Sequence, residues 1–195
     1  MNKRVILITG TPCTGKTTIA KQLTTKLNAL YINLTELANT HRLIRSEDKR
    51  RKTNIIHEEK MRVKITEIIK TAEKSDIIID GHYASVVIPK PYVTLVFVLR
   101  RNPIELSKLM KKRGFTGAKL WENIASEILD VCLVEALQQH KKEIVCELDI
   151  TGKRSKKVVA EILKILNENK ECSVGHVDWL SMLENKGLLD EYLKF

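Results

Sequence analysis

Hydrophobic positions along the chain follow two spacings, one typical of buried strands and the other typical of amphipathic helices. Short and nearly continuous apolar runs are expected for strands that are covered on both faces of a parallel sheet. Five such runs are present, at residues 5–9, 30–32, 75–80, 93–99 and 144–148. Because segments with helical spacing separate these runs, the pattern predicts a parallel sheet with helices on both of its faces.

Apolar residues spaced three and four positions apart predict the helices between these strands. The predicted helices cover 16–27, 57–74, 102–113, 120–142 and 158–166, and a further helix starts within 33–37. Asn102 and Pro103 form a favourable helix start, and Thr35 is the expected N-cap of the second helix. Residues 45–54 (RSEDKRRKTN) are polar and lack periodicity, which predicts a mobile excursion. The apolar residues after position 171, Trp179 among them, predict a tail that docks on the core.

A phosphate-binding motif follows the first predicted strand and opens the first predicted helix. Residues 10–17 (GTPCTGKT) fit the P-loop pattern G-x-x-x-x-G-K-[ST] at every fixed position. Its glycines let backbone N–H groups surround phosphates, and the helix N-terminus adds positive charge. Lys16 is expected to reach the β and γ phosphates, and the hydroxyl of Thr17 to ligate Mg²⁺. A chance match in a turn is the alternative, but the strand and helix around the motif favour a nucleoside triphosphate site.

Polar residues follow other predicted strands at the edge where ligands bind in parallel sheets. Asp80 ends the third strand and is the candidate carboxylate for Mg²⁺, although an aspartate there can also simply cap a turn. His82 lies two residues further on, where it would be near the γ-phosphate unless it is merely an exposed loop histidine. The same edge is expected to collect Arg100, Arg101 and the loop at 151–153.

The composition indicates one folded domain and excludes several classes of protein. The chain has 195 residues, 43% of them hydrophobic, which is enough for a sizeable core. No apolar run approaches the roughly 18 residues of a membrane span, and the first residues lack a secretory signal. A cytoplasmic protein without a membrane partner is therefore expected. The net charge of +10 fits anionic nucleotides, RNA or a solvated lysine-rich surface equally well.

The cysteines show neither a C-x-x-C pair nor the spacing of metal ligands. Reduced and mostly buried thiols are the simple expectation for Cys13, Cys132, Cys146 and Cys172. Cys13 lies within the P-loop, where the nearby helix N-terminus could lower the pKa of its thiol. A reactive role for Cys13 is therefore a hypothesis.

The phosphoryl acceptor can be argued from the charges that the chain offers. An alcohol acceptor needs a base to take its proton, whereas a nucleoside monophosphate is already an anion and needs cations. The candidate cations are Arg42, Arg45, Arg100, Arg101 and Arg113. The carboxylates that stay open as bases are Glu36, Asp48 and Glu58. Excursions at 33–56 and 113–120 fall where small kinases place an acceptor lobe and a lid, so the balance favours a nucleotide acceptor.

Six segments carry a further signal, and they are GTPCTGKTT (10–18), DGH (80–82), FVLR (97–100), RGFTGAKLWENIASEIL (113–129), EAL (135–137) and KKEIV (141–145). These segments closely resemble the isoenzyme-six type of adenylate kinase, which in eukaryotes is the coilin-interacting nuclear ATPase and doubles as a ribosome assembly factor. The tail element VDW (177–179) resembles the archaeal branch. The resemblance covers most of the chain.

This resemblance implies an α/β, three-layer P-loop NTPase fold with a five-stranded parallel sheet of the nucleoside monophosphate kinase type. A single domain would comprise a core (1–32, 57–112 and 120–168), an acceptor lobe for the nucleoside monophosphate (33–56), a LID (113–119) and a C-terminal helical tail (169–195). The implied reaction transfers the γ-phosphate of ATP to AMP to give two ADP, with Mg²⁺ and a secondary ATPase activity.

The resemblance and the motif together assign roles to individual residues. The expected catalytic residues are Lys16, Asp80, His82 and Arg113, and the expected Mg²⁺ ligands are Thr17 and Asp80. The expected ATP-binding residues are Gly10, Cys13, Thr14, Gly15, Lys16, Thr17, Thr18 and Arg113. Asn39 stands where the family often has an arginine, so Arg42 or Arg45 is expected to bind AMP instead.

The resemblance also implies partners other than nucleotides. These are a small-subunit ribosomal protein of the S11/S14 type, the small-subunit precursor and a contact with rRNA. Two alternatives to an adenylate kinase stay open. One is an ATP-dependent assembly factor whose kinase activity is incidental, and the other is a kinase for a sugar or a shikimate-like acid.

Overall fold

A five-stranded parallel sheet forms the centre of the computed structural model, which describes residues 3–48, 53–168 and 171–194. The strands are β1 (Arg4–Thr9), β2 (Leu30–Asn33), β3 (Ile44–Asp48), β4 (Thr53–Ile56), β5 (Asp76–Asp80), β6 (Val93–Arg100) and β7 (Val145–Asp149). The order in the main sheet is β2-β5-β1-β6-β7, and every neighbouring pair is parallel. This arrangement confirms the predicted fold class, and all five predicted strands are present.

Ten α-helices lie within the described part of the chain. They are α1 (Lys16–Leu27), α2 (Leu34–Thr40), α3 (Glu58–Thr71), α4 (Ala84–Val87), α5 (Pro103–Lys112), α6 (Gly117–Ile128), α7 (Val131–Gln139), α8 (Ser155–Glu168), α9 (Trp179–Asn185) and α10 (Leu189–Tyr192). Successive residues of β1 point to opposite faces of the sheet, so Leu7 packs with α3 and α7 while Ile8 packs with α1 and α8. The main sheet and the helices on its two faces therefore form three layers.

Residues 44–56 differ from the predicted excursion. The backbones of β3 and β4 pair in antiparallel fashion, with Ile44 opposite Ile56, and form a small second sheet. The prediction of strands relied on continuous apolar runs, which the buried strands of the main sheet need. The β3–β4 pair lies outside that sheet, and its largely polar sequence therefore gave no strand pattern. The basic cluster at 49–52 lies outside the described residues.

Three boundaries also differ from the predictions. The N-cap of α2 is Asn33, whose side-chain oxygen accepts a hydrogen bond from Glu36 N, and not Thr35. The long helix expected over 120–142 is divided into α6 and α7, because Asp130 adopts a left-handed conformation with φ of 58°. No helix was predicted between residues 74 and 102, but the structure contains α4 there. The Asn102 cap and Pro103 start of α5 are confirmed.

The C-terminal segment, defined as residues 171–194, docks on the core as expected. Trp179 and Leu183 are buried, and Leu183 packs in a cluster with α5 and α6. Cys146 and Cys172 form a disulfide that joins β7 to this segment. The expectation of reduced thiols is wrong for this pair, because the segment runs beside β7 and brings the two Cα atoms to 4.5 Å. Within the described residues, no helix is both long enough and apolar enough to cross a membrane.

Candidate active site

The phosphate-binding loop joins β1 to α1 and depends on two glycines with positive φ. Gly10 has φ of 136°, and a Cβ atom there would lie 2.4 Å from the carbonyl oxygen of Leu99. Gly15 has φ of 98° and caps the N-terminus of α1. Only glycine satisfies both the close approach to β6 and the left-handed turn at low cost. The loop therefore passes directly over the carboxyl ends of β1 and β6.

The ammonium group of Lys16 lies inside this loop. Lys16 Nζ donates hydrogen bonds to the carbonyl oxygens of Gly10 at 2.8 Å and Thr11 at 2.9 Å. Burial lowers the pKa of Lys16, and the nearby negative charge of Asp80 opposes that shift. The carbonyl oxygen of Thr11 also accepts a hydrogen bond from Thr14 Oγ1 at 2.9 Å. The carbonyl group of Thr11 thus binds both the ammonium of Lys16 and the hydroxyl of Thr14.

A cluster of hydrogen bonds forms around the buried carboxylate of Asp80. Its Oδ2 atom accepts hydrogen bonds from Thr17 Oγ1 at 2.7 Å, from Asn33 Nδ2 at 2.9 Å and from Tyr31 OH at 3.0 Å. Burial and the charge of Asp80 raise the pKa of Tyr31 to about 12, so its phenol remains a donor. Thr17 and Asp80, the two predicted Mg²⁺ ligands, are thus in direct contact.

The oxygen donors of this cluster fit Mg²⁺. A hydroxyl and a carboxylate are the hard ligands that this ion prefers, and Mg²⁺ is usually bound by one or two such groups together with water and phosphate oxygens. No group of three or more His, Cys, Asp or Glu side chains in the described residues forms a separate metal cage. A site shared between Thr17, Asp80 and a bound triphosphate is therefore the arrangement that these residues allow.

His82 follows this cluster in the chain and lies at the open side of the cleft. Its side chain is exposed, yet the surrounding protein and the charge of Lys16 lower the pKa of His82 to about 4. The Oγ1 atom of Thr9 donates a hydrogen bond to the His82 carbonyl oxygen at 3.1 Å, which fixes its backbone beside β1. The imidazole is consequently neutral at physiological pH.

Arg113 reaches the loop from the end of α5. Its Nη1 atom lies 3.8 Å from Cys13 Sγ, and both side chains are accessible from the cleft. The predicted lid arginine and the predicted loop cysteine are therefore in contact. Thr18 is exposed on the first turn of α1. Cys13 and Cys132 are free thiols, and burial raises the pKa of Cys132 to about 11.

Arg100 does not face the cleft, which corrects its prediction as a phosphate-binding cation. Its side chain is 1% exposed and donates to Glu127 Oε1 at 2.9 Å and to Glu147 Oε1 at 2.7 Å. It also pairs with Asp130. Four of the five N–H donors of Arg100 are thus used within the protein interior. Arg101 pairs instead with Glu105, so of the five predicted cations Arg42, Arg45 and Arg113 are the exposed ones.

Glu127 is a site residue that the sequence analysis missed. Its side chain is 1% exposed and accepts hydrogen bonds from Thr11 Oγ1, Arg100 Nε, Arg101 N and Trp179 Nε1. Burial raises the pKa of Glu127, and the charge of Arg100 opposes that shift. A sequence signal existed, because Glu127 is three residues after the buried Ile124 and so falls on the apolar face of α6.

Solved structures with a similar fold identify the fold class of this protein. Thymidylate kinase from Candida albicans has a TM-score of 0.56 and 17% identity, over 88% of this chain and 99% of that chain. Shikimate kinase from Bacteroides thetaiotaomicron has a TM-score of 0.57 and 17% identity, over 85% of this chain and 98% of that chain. At this identity the likeness concerns the fold alone. The chain has the P-loop kinase fold.

Sequence relatives define the family more narrowly. The sequence profile of the AAA domain family matches residues 6–130. A Pyrococcus furiosus protein described as "Putative adenylate kinase" is 36% identical over 184 residues, which are 92% of this chain and 93% of the relative. A Methanocaldococcus jannaschii protein with the same description is 38% identical over 174 residues, 89% of this chain and 92% of the relative. The chain belongs to this family of archaeal proteins.

Proposed function

We propose that this protein is an adenylate kinase that transfers the γ-phosphate of ATP to AMP and forms two ADP. The observation that carries the proposal is the contact between Thr17 and Asp80 beside the loop-bound Lys16. Lys16, Thr17 and Asp80 bring a cation, a hydroxyl and a carboxylate to one end of the sheet, which is what binding a metal-complexed triphosphate requires. The family relatives and the P-loop kinase fold support the same class of reaction.

The residues of the loop would bind and orient ATP. Backbone N–H groups between Gly10 and Gly15 surround the phosphates, and Lys16 exchanges its carbonyl partners for β and γ phosphate oxygens. Thr17 and Asp80 would hold Mg²⁺, which when bound neutralises part of the phosphate charge. Arg113 would add positive charge from the lid side of the cleft.

The carboxylates nearest Lys16 favour an acceptor that needs no base. Asp80 is the proposed Mg²⁺ ligand, with three hydrogen bonds to its Oδ2 atom, and Glu127 is buried and accepts four, so neither carboxylate is well placed to remove a proton from an alcohol. A nucleoside monophosphate arrives as an anion and needs cations instead. Arg42 and Arg45 are exposed on the segment 33–56, which we propose as the AMP-binding lobe.

Exclusion of water is the remaining requirement, because water competes with AMP for the γ-phosphate. We propose that the lobe 33–56 and the LID 113–119 move relative to the core (1–32, 57–112 and 120–168) when both nucleotides are bound. Water that enters the incompletely closed site would account for a weak ATPase activity. His82 would lie beside the γ-phosphate and contribute to that hydrolysis.

A role in ribosome assembly is the second candidate function. It rests on the resemblance of the DGH and lid segments to the isoenzyme-six type, and on a net charge of +10. Exposed apolar side chains around α7 would suit a protein partner, such as a small-subunit ribosomal protein. They are Leu129, Val131, Val134 and Leu137. In this role the protein would act in the cytoplasm with the small-subunit precursor, and nucleotide would control its conformation.

Coupled ADP production tests the proposed reaction. The rate from Mg-ATP is measured with AMP, GMP, CMP, UMP, shikimate and no acceptor. We expect a large rate with AMP, and none in Lys16→Ala. Lys26→Ala is the matched control, because Lys26 is exposed near the other end of the same helix. A slow rate that does not depend on any acceptor would contradict the kinase and favour the assembly factor.

A further inference from the structure

Glu127 connects the phosphate-binding loop to the C-terminal segment through one buried side chain. Its Oε2 atom accepts a hydrogen bond from Thr11 Oγ1 at 2.5 Å, and its Oε1 atom accepts one from Trp179 Nε1 at 3.1 Å. Trp179 is only 8% exposed and Thr11 is only 1% exposed, so water does not replace either donor readily. Residues 168 positions apart in the sequence thus share one carboxylate.

Thr11 is the part of the loop on which Lys16 depends. The carbonyl oxygen of Thr11 accepts hydrogen bonds from Lys16 Nζ and from Thr14 Oγ1, both at 2.9 Å. Its hydroxyl donates a hydrogen bond to Glu127 Oε2, and the Cys132 thiol also contacts the Thr11 side chain. A displacement of Glu127 would therefore move the peptide group that positions the ammonium of Lys16.

The C-terminal segment contacts the same buried network at a second point. Glu147 Oε2 accepts a hydrogen bond from Gly175 N at 2.7 Å, and Glu147 N donates one to Ser173 O at 3.0 Å. The other oxygen of Glu147 accepts from Arg100 Nη1, and Arg100 Nε donates to Glu127. Arg100 therefore joins both carboxylates that hold the segment. The C-terminal segment is thus attached at two points, Glu127 and Glu147, to the network that also binds the phosphate-binding loop. A shift of the segment would therefore move the loop.

Simple packing of the Trp179 ring does not account for this arrangement. A buried indole N–H needs a hydrogen-bond acceptor, and any backbone carbonyl oxygen within reach would be sufficient. The acceptor is instead the carboxylate that also binds the loop.

We propose that Trp179 is a positioning residue for the phosphate-binding loop, which acts through Glu127 and Thr11 to hold Lys16 for the phosphates of ATP. The inference rests on the proposed function only in that ATP must bind at this loop. Because coupling between two sites is reciprocal, bound nucleotide must in turn stabilise the docked C-terminal segment.

A double-mutant cycle on the full chain tests this coupling. Trp179→Phe keeps an aromatic ring and removes the N–H donor, and Thr11→Val keeps the shape of the side chain and removes the hydroxyl donor. The dissociation constant for the β,γ-imido analogue of ATP with Mg²⁺ is measured by calorimetry. We expect each single variant to raise it about fivefold, and the double variant to be no weaker than Thr11→Val. Effects that multiply in the double variant would overturn the proposal, as would an unchanged constant in folded Trp179→Phe.

Trp121→Phe is the matched control, since Trp121 also contacts the C-terminal segment, through Tyr192, but is not among the hydrogen-bond donors to Glu127. We expect it to leave the dissociation constant unchanged, and a fivefold rise there would overturn the specific role of Trp179. If Trp179→Phe does not fold, the coupling is tested instead by backbone hydrogen exchange of residues 177–185 in the wild type, measured with and without nucleotide. Nucleotide must slow that exchange, and equal exchange with and without nucleotide would overturn the coupling.

The two proposals fail in different ways. A wild type that does not bind the analogue contradicts the proposed function itself. A wild type that binds it and transfers phosphate, with no response in Trp179→Phe, contradicts only the positioning role.

Discussion

The hydroxyl of Thr17 donates a hydrogen bond to Asp80 Oδ2 at 2.7 Å, although 63 residues separate them in the chain. Thr17 is in the first turn of α1, and Asp80 is the last residue of β5. The two meet because β5 lies next to β1 in the sheet, with Asp80 opposite Ile8 in register. The loop after β1 therefore starts α1 directly over the end of β5. This adjacency places the Asp80 carboxylate beside the first turn of α1.

Asp80→Asn should remove catalysis while the fold is retained. The amide keeps the shape of the side chain but loses the charge that would hold Mg²⁺, and we expect phosphoryl transfer to fall by about 100-fold or more. Asp76→Asn is the matched control, because Asp76 begins the same strand and pairs with Arg4 at the opposite end of the sheet. Steady-state ADP formation measures both. Equal losses in the two variants would contradict the role of Asp80.

Gly10→Ala should destabilise the protein, because the new Cβ would lie 2.4 Å from the carbonyl oxygen of Leu99. We expect a loss of about 3 kcal/mol in the free energy of unfolding, as for severe overpacking. Gly175→Ala is the comparison, since Gly175 has φ of 83° but open space around its Cα. That variant should lose about 1 kcal/mol, which is the cost of the left-handed backbone alone. Urea unfolding gives both values, and similar losses would refute the importance of the contact with β6.

The main sheet and the phosphate-binding loop could be predicted because their sequence signals are local. Buried parallel strands need continuous apolar residues, and the loop needs glycine at two positions with positive φ. The β3–β4 pair was missed because it lies outside the main sheet and because the residues between Ile44 and Ile55 are polar. The break between α6 and α7 was also missed, since the apolar spacing continues through Leu129 and neither glycine nor proline marks the turn.

The buried network could not be predicted because its members come from distant elements. Arg100 ends a central strand at the edge where ligands bind, and on that basis it was assigned to phosphate. Its actual partners, Glu127 and Glu147, belong to α6 and β7. No local spacing connects these positions. Only the packing of α6 against the end of β6 shows that Arg100 binds carboxylates in the protein interior. Lys16 and Arg113 are therefore the cations that remain at the cleft.

Asn33 should matter for both Asp80 and α2. Its Nδ2 atom donates to Asp80, and its Oδ1 atom accepts from Glu36 N at the helix start. Asn33→Asp keeps the cap but places a second carboxylate beside Asp80, which raises the pKa of the pair in the folded state. Because a raised carboxyl pKa favours the protonated folded form, stability should fall as pH rises. We expect a loss of about 2 kcal/mol at pH 8 without Mg²⁺ and recovery toward pH 5.

Asn33→Ala separates these effects, since it removes the cap and adds no charge. It should lose about 1 kcal/mol at every pH in this range. Parallel stability curves for the two variants would show that Asn33 does not face Asp80.

His82 should make stability depend on pH in the acidic range. Its pKa in the folded protein is about 4, below the ordinary value of 6.5, because the surrounding protein of the cleft partly desolvates the exposed side chain and Lys16 adds positive charge. The unfolded chain therefore takes up a proton at this residue before the folded protein does. The contribution to stability is present above pH 6.5 and is lost as pH falls toward 4. We expect wild type to lose up to about 1 kcal/mol more than His82→Gln over this range, because the exposed side is screened by water. Identical pH profiles would contradict the assignment.

The most direct measurement is the fate of the γ-phosphate in a single turnover. Excess enzyme is mixed with Mg-ATP labelled at the γ-phosphate, with and without AMP, and the products are separated. We expect that with AMP the label appears in the β-phosphate of newly formed ADP, and that Lys16→Ala leaves it in ATP. Label released as inorganic phosphate at the same rate with and without AMP would contradict the kinase and identify an ATPase.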